Sequence, residues 1–291
     1  MGGIAGSFVA VDWGTTNRRA WRVADGHATS LLSDDRGILA VTDFAAAVAD
    51  VQARAPGLPL LMAGMIGSNR GWREVPYVPA PATLTEIAAA VDWVEPEIGI
   101  VPGVSFADGA LADIMRGEEV QLLGACALAA VECDGLVCHP GTHTKWAEME
   151  GGAIARFRTV MTGDLFAALQ HKSILTDLLA HAAPVDAAFL AGVDHALANS
   201  DLTAELFAVR ARVVLGLAEA RHAASYVSGL LIGTDVRTGL GRVRADVVPV
   251  LGAPALTARF AAALARAGRH ATEHDGDAAF IAGMTAIAGA L

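Results

Sequence analysis

Basic residues are scarce in this chain: 21 Lys plus Arg stand against 31 Asp plus Glu, for a formal net charge of −10. With pI near 5.3, the surface cannot track a nucleic-acid backbone by charge, so no nucleic-acid partner is expected. A compact anion, whether nucleotide or sugar acid, stays open, because a few local donors and a metal can override the global sign. Cysteine is scarce too. Cys126, Cys133 and Cys138 are odd in number and form no C-x-x-C pair. Neither a disulfide framework nor a zinc ribbon is expected, and a reducing cytoplasm fits best. Long apolar runs are missing: the longest helical one, AAFIAGMTAIAGAL at 278 to 291, falls short of the ~20 residues that span a bilayer. It reads as a buried helix, and no membrane partner is expected. Residues 1 to 7 lack a basic leader segment, and Gly6 stands where a myristoylation motif would carry Ser or Thr, so the N-terminus reads as untargeted. There is no G-x-x-x-x-G-K-[ST] phosphate loop either.

What the chain does have is apolar content, 54% hydrophobic against 18% charged over 291 residues. That is enough for one large or two ordinary globular domains. Residues 7 to 24 read as a hairpin in which FVAV runs into Asp12 and bends on Gly14-Thr15-Thr16. A helix follows over 42 to 55 with Thr42 or Asp43 as cap, then a buried strand opening into a glycine-rich loop over 59 to 72. Three prolines in PYVPAPATL, 76 to 84, argue against a regular element, whereas GEEVQLLGACALAAVE, 117 to 132, reads as a helix. The opening pattern then returns in GLVCHPGTHTKWAEME, 135 to 150, where Gly141-Thr142 matches Gly14-Thr15. An Ala-rich helical stretch reaches about 224, and VVPVLGAPALTARFAAAL, 247 to 264, is strand, turn and helix. The fold class is α/β, in two related halves: 1–134, 135–276, and a helix 277–291 returning to the first.

A Gly-Thr-Thr bend directs successive backbone N–H groups and hydroxyls at one point, which suits a phosphate. Asp12 beside it either braces the turn or holds Mg2+ against phosphate oxygens. Two such turns, one per half, would grip a nucleotide between them. Glu118 and Glu119 either complement the dipole of their helix or supply the carboxylate that orients a sugar hydroxyl and takes its proton. Ser68, Asn69, Arg70 and Trp72 suit a polyol or sugar acid. Arg18, Arg70 and Arg116 are candidates to pair a substrate carboxylate. His139 and His143 are four apart, but Pro140 and Gly141 exclude the helix that a two-histidine zinc site needs.

Six segments, DWGTTN, MAGMIGSNRGW, MRGEEVQLLGA, HPGTHTKW, FRTVMTGDL and SGLLIG, together resemble the 2-dehydro-3-deoxygalactonokinase family, within the sugar kinase, heat-shock ATPase and actin superfamily. The resemblance implies two ribonuclease-H-like (actin-like ATPase) domains with an interdomain nucleotide cleft, the first on the sugar-acid side and the second on the nucleotide side. It implies ATP and Mg2+ as cofactors and phosphorylation of 2-dehydro-3-deoxy-D-galactonate at its 6-hydroxyl in galactonate breakdown. Asp12, Gly14, Thr15 and Thr16 would form the first phosphate element, with Asp12 the metal residue. Gly141, Thr142 and His143 would form the second, with Lys145 able to reach a phosphate and Gly252 at the adenosine turn. Asn17, Arg18, Ser68, Asn69, Trp72 and Arg116 would meet the sugar acid. Glu118 is favoured as base, with Glu119, Asp108 and Asp164 as alternatives. His139-Pro140 replaces an acid common in the superfamily, and Gly252-Ala253 replaces two glycines. A homo-oligomer is left open. A non-catalytic sugar sensor and a partner-driving ATPase are the rival readings on this fold; the first strand begins by residue 8, which leaves no room before it for a sensor's DNA-binding helices.

Overall fold

The computed structural model describes Ile4 and residues 6–109, 111–241 and 243–291, so most of the segment read as untargeted lies outside it. The chain divides into two compact units. The first comprises Met1–Gly135, Ala147–Phe157 and Gly276–Leu291; the second comprises Leu136–Trp146 and Arg158–Asp275.

The first unit begins with β1 (Phe8–Trp13), β2 (Arg18–Ala24), β3 (His27–Asp34), α1 (Phe44–Arg54) and β4 (Leu60–Gly64). It continues with β5 (Val78–Pro79), α2 (Leu84–Ala89), β6 (Asp92–Glu95), β7 (Ile98–Ile100), β8 (Val104–Asp108), β9 (Leu111–Met115) and α3 (Glu118–Ala127). Its main sheet has the order β3-β2-β1-β4-β7-β6. β1 is parallel to β4, and β4 to β7. Central strands covered on both faces need near-continuous apolar sequence, and every residue of β4 is buried, as is all of β1 except Asp12. Asp43 caps α1 by accepting the Ala46 N–H, and Val48 and Val51 pack with Val9, Val11 and Trp13 in the core.

Two expectations need adjusting. The proline-rich segment contains a two-residue strand, β5, beside β8, and ends in a capping box in which Thr83 and Glu86 start α2. The helix read over 117 to 132 stops at Ala127, because Ala129 adopts the left-handed conformation (φ 50°) and turns the chain away.

The second unit takes its strands from β10 (Gly135–His139), β11 (Thr144–Glu150) and β12 (Ala153–Val160), with the outer parts of β11 and β12 grouped with the first unit. There follow α4 (Thr162–Lys172), α5 (Ala187–Ala198), α6 (Leu202–Val214), α7 (Ala223–Leu240), β13 (Val247–Gly252), α8 (Pro254–Arg266) and β14 (His270–Asp275). The order β12-β11-β10-β13-β14 matches β3-β2-β1-β4-β7 position by position. The repeat first visible in two Gly-Thr turns therefore extends to both sheets.

The chain closes with α9 (Gly276–Ala290), counted with the first unit. It lies directly against α3: a Cβ on Gly124 would sit 1.9 Å from the Ala279 carbonyl oxygen, and one on Gly283 would sit 2.1 Å from that of Val120. Only glycine permits so close a helix contact at these two points.

Candidate active site

The first turn is held from behind. Gly14 N–H donates to the Asn17 carbonyl (2.9 Å), while the carbonyls of Gly14, Thr15 and Thr16 accept from Ile38, Leu39 and Gly37 N–H groups. With its carbonyls engaged, the turn offers a ligand its N–H face and the exposed hydroxyls of Thr15 and Thr16. Asp12 stands at the inner end of this bend. Burial raises its pKa, a nearby Arg19 works against that rise, and Asp277 and Glu118 add to it.

A short chain of contacts explains how Glu118 comes near Asp12. β4 pairs with β1 so that Gly64 lies opposite Trp13. A Cβ on Gly64 would be 3.5 Å from Asp12 Oδ1, and one on Gly117 would be 3.3 Å from the Gly64 Cα. Gly117 has φ 109° and starts α3, which puts Glu118 and Glu119 in its first turn. Their roles differ. Glu119 is fully buried, and Gly117 N–H donates to both its carboxylate oxygens (2.9 and 2.7 Å). Burial and the charge of Glu118 push its carboxyl up to about 8. Glu118 is half-buried and accepts the Arg116 N–H at 3.0 Å. Asp108 lies exposed on β8, 4.0 Å from Arg156.

Arg18 needs correcting as a substrate-binding residue. Its side chain is 0% exposed, and its guanidinium is spent on Asp34 (2.8 Å), Asp50 (3.4 Å) and the Ala47 carbonyl (2.9 Å). Arg116 is likewise buried. It stacks on Tyr77 (4.2 Å), donates to the Val75 carbonyl (2.7 Å), and lies against Gly67, so it supports the MAGMIGSN loop from beneath. Ser68 is buried and donates to the Met65 carbonyl (2.7 Å), closing that loop on itself. Asn69 and Arg70 are exposed, Trp72 packs partly on the first core, and Asn17 is exposed at the turn.

In the second unit, Gly141 to His143 form the bend between β10 and β11, and the start of α4 is welded to it. Asp164 N–H donates to the Thr142 carbonyl (3.0 Å), and a Cβ on Gly163 would be 2.9 Å from the Gly141 carbonyl oxygen. His143 is exposed, 3.7 Å from Asp164. Lys145 is buried in β11, and Gly252 ends β13 just before α8.

The 2-keto-3-deoxy-galactonokinase family model matches residues 12–287. The chain belongs to that family. It is 36% identical to the 2-dehydro-3-deoxygalactonokinase of Escherichia coli (strain K12), over 98% of each chain. It is 34% identical to a solved Sinorhizobium meliloti structure assigned to the same activity, covering 97% of this chain and 98% of that one with a TM-score of 0.89. A more distant structure, the activator of the 2-hydroxyisocaproyl-CoA dehydratase from Clostridium difficile with bound ADPNP, is 10% identical at a TM-score of 0.52 over 98% of this chain and 95% of that one, and shows the fold alone.

In this galactonokinase-family chain, several site features had no signal in the sequence. Arg19 Nη2 meets Asp12 at 2.5 Å while Nη1 pairs with Asp277, 258 residues further on. Asp235 on α7 accepts from Trp146 Nε1 (2.6 Å) and from the Thr162 hydroxyl. Burial pushes it up to about 6 against the pull of Thr162, Trp146 and Thr144. This buried cluster ties the strand after the second turn to the start of α4. Beside it, a cavity of about 160 Å3 is lined by Gly141, Gly163, Phe166, Ser228, Leu256 and Arg259, among others. Nothing in the spacing of these residues announced that they would meet.

Proposed function

We propose that this member of the galactonokinase family transfers the γ-phosphoryl group of ATP to the 6-hydroxyl of 2-dehydro-3-deoxy-D-galactonate, as a kinase of the cytoplasm. No helix among the described residues is long and apolar enough to cross a membrane. The observation that carries the proposal is that Gly117, which starts the helix bearing Glu118, packs against Gly64, and Gly64 packs against Asp12. A carboxylate able to activate an acceptor and a carboxylate on the phosphate side thus share one region.

In this reading Glu118 orients the acceptor hydroxyl and takes its proton as the new P–O bond forms, while Glu119 is occupied in holding Gly117. The N–H groups and hydroxyls of Thr15 and Thr16 receive phosphate oxygens in the first unit. Gly141, Thr142 and His143 do so in the second, with Lys145 behind them and the cavity by Ser228 and Arg259 taking the base near Gly252. Asn17, Asn69 and Trp72 contact the sugar acid. The site suits a divalent cation: Asp12 is a desolvated carboxylate with two more acids adding to its negative field. Asp12 would hold Mg2+ directly or through water, and the ion would supply neutralisation of the phosphate charge.

The test is ADP release with Mg-ATP, alone and with 2-dehydro-3-deoxy-D-galactonate, its gluconate epimer, galactonate and glycerol. Release confined to the first acid is expected, and Glu118→Gln should lower kcat by about 10²-fold or more with little change in the KM for ATP. Sugar-independent release would replace the proposal with an ATPase. Near-normal turnover of the variant would remove Glu118 as base.

A further inference from the structure

Cys126, in the last turn of α3, and Cys133, in the segment leading into β10, both carry free thiols and are both half-buried. Were the helix to continue through residue 133, it would set them two turns, about 10 Å, apart along its axis. The chain instead reverses. Ala130 N–H donates to the Ala125 carbonyl (3.0 Å) and Ala129 N–H to the Cys126 carbonyl (2.9 Å), with Ala129 at φ 50°. These paired bonds are those of a helix stop that folds the following residues back along the helix. Val131 N–H then reaches the same Ala125 carbonyl (3.4 Å). Beyond it, the Cys133 carbonyl accepts the Gly152 N–H (3.0 Å) and the Asp134 carboxylate accepts the Gly151 N–H (2.5 Å), so the turn between β11 and β12 fixes Cys133 from its other side. Held in this way, the two thiols are hydrogen-bonded to each other. Burial, and after it that bond, push the Cys126 thiol up to about 12, so Cys126 keeps its proton at neutral pH.

We propose that Cys126 and Cys133 form an oxidation site, at which a peroxide converts the hydrogen-bonded thiols into a disulfide that locks the end of α3. A disulfide forms without backbone movement only where the two sulfurs already lie close together, and these do. Hydrogen peroxide gives one oxygen to Cys133 Sγ, leaving a sulfenic acid and one water. Cys126 Sγ then displaces that oxygen, its own proton leaves with it as a second water, and the S–S bond forms. Two thiols are oxidised and one peroxide is reduced. Cys133 is the sulfur attacked, because Cys126 holds its proton, and Cys126 is the resolving thiol. In a reducing compartment, exchange with small thiols such as glutathione restores both, so the bond is a response to peroxide and no part of a disulfide framework. The inference uses neither nucleotide nor acceptor and stands independently of the kinase reading.

The experiment treats the full-length wild type, Cys126→Ser and Cys133→Ser with hydrogen peroxide, blocks the remaining thiols with N-ethylmaleimide, and cuts each chain at Glu132, which lies between the two cysteines. In the wild type the two halves should stay joined until a reductant is added, and the intact chain should have lost the mass of two hydrogen atoms. Neither serine variant should give joined halves. Dimedone, which captures sulfenic acids, should label Cys133 in Cys126→Ser at least about tenfold more than Cys126 in Cys133→Ser. Amide hydrogen exchange over residues 127–132 should slow about tenfold in the oxidised wild type and recover on reduction. Halves that separate without reductant overturn the proposal, as do halves joined through Cys138 or between two copies of the chain. Equal dimedone labelling of the two variants overturns the assignment of Cys133 as the attacked sulfur, and exchange unchanged by oxidation overturns the lock on α3.

Discussion

Replacing Glu119 with glutamine should turn a pH-dependent stability into a flatter one. Glu119 is fully buried, and burial together with Glu118 raises its carboxyl from 4.5 to about 8. The folded protein therefore binds this proton more tightly than the unfolded chain does. Stability from this group is fully present below pH 4.5, falls as pH rises, and levels off above about pH 8, where both states are ionised. The size follows from the shift: 8 minus 4.5 is 3.5 units, at about 1.4 kcal/mol each, or roughly 5 kcal/mol across that window. Glutamine keeps an oxygen for the Gly117 N–H and cannot ionise. Urea unfolding of both proteins from pH 4.5 to 9 would be followed by tryptophan fluorescence, taking the difference between them so that shared titrations cancel. The wild type should lose about 5 kcal/mol relative to Glu119→Gln over this range and be the less stable protein at pH 9. A difference constant to within about 1 kcal/mol would refute the argument that burial governs this carboxyl.

Arg18→Met should cost about 2 kcal/mol in urea unfolding, less than a fully buried pair because Asp34 and Asp50 are part-exposed, while the KM for sugar acid stays within twofold. A large rise in KM would restore Arg18 to the substrate site. Asp235→Asn should destabilise by about 2 kcal/mol at pH 4, since one of its two donors loses its acceptor. The deficit should narrow towards pH 7, because the wild-type acid, raised to about 6, loses stability as pH rises from 3.8 through 6. Scanning calorimetry at both pH values checks this, and a deficit that widens would contradict it. Gly283→Ala should cost about 1–3 kcal/mol and lower kcat, since the added methyl meets the Val120 carbonyl and pushes α9 from α3. Unchanged thermal stability would mean the helices can part freely.

The strands and turns were legible where the local signal was strong. FVAVD read as the first strand of a hairpin and LLMAG as a buried strand, and the Gly-Thr turns marked where the chain reversed. The end of α3 was not legible, because Ala129 takes a conformation that sequence reserves for glycine. Composition cannot say which of two adjacent arginines faces inward. Only the register of β2 against β1, Arg19 opposite Asp12, decides it. Asp277 was out of reach for a different reason: its partner Arg19 lies on the other side of the whole second unit in sequence, and no local pattern encodes that meeting. The sequence favoured Glu118 over Glu119 without showing how their surroundings differ: both fold back on backbone N–H groups, but Glu119 is fully buried and Glu118 only half-buried.

The close contact of α9 with α3 also has a consequence in time. The first unit begins at the start of the chain, but the helix that carries Asp277 and covers α3 is made only after the entire second unit. At a synthesis rate of about 5–20 residues per second, the residues from 136 to 290 take roughly 8–31 s to be made. For that interval the glycine-lined side of α3 has no α9 to cover it and Arg19 has no Asp277. During its own synthesis, therefore, the chain completes the second unit before the half that holds Asp12 can be finished.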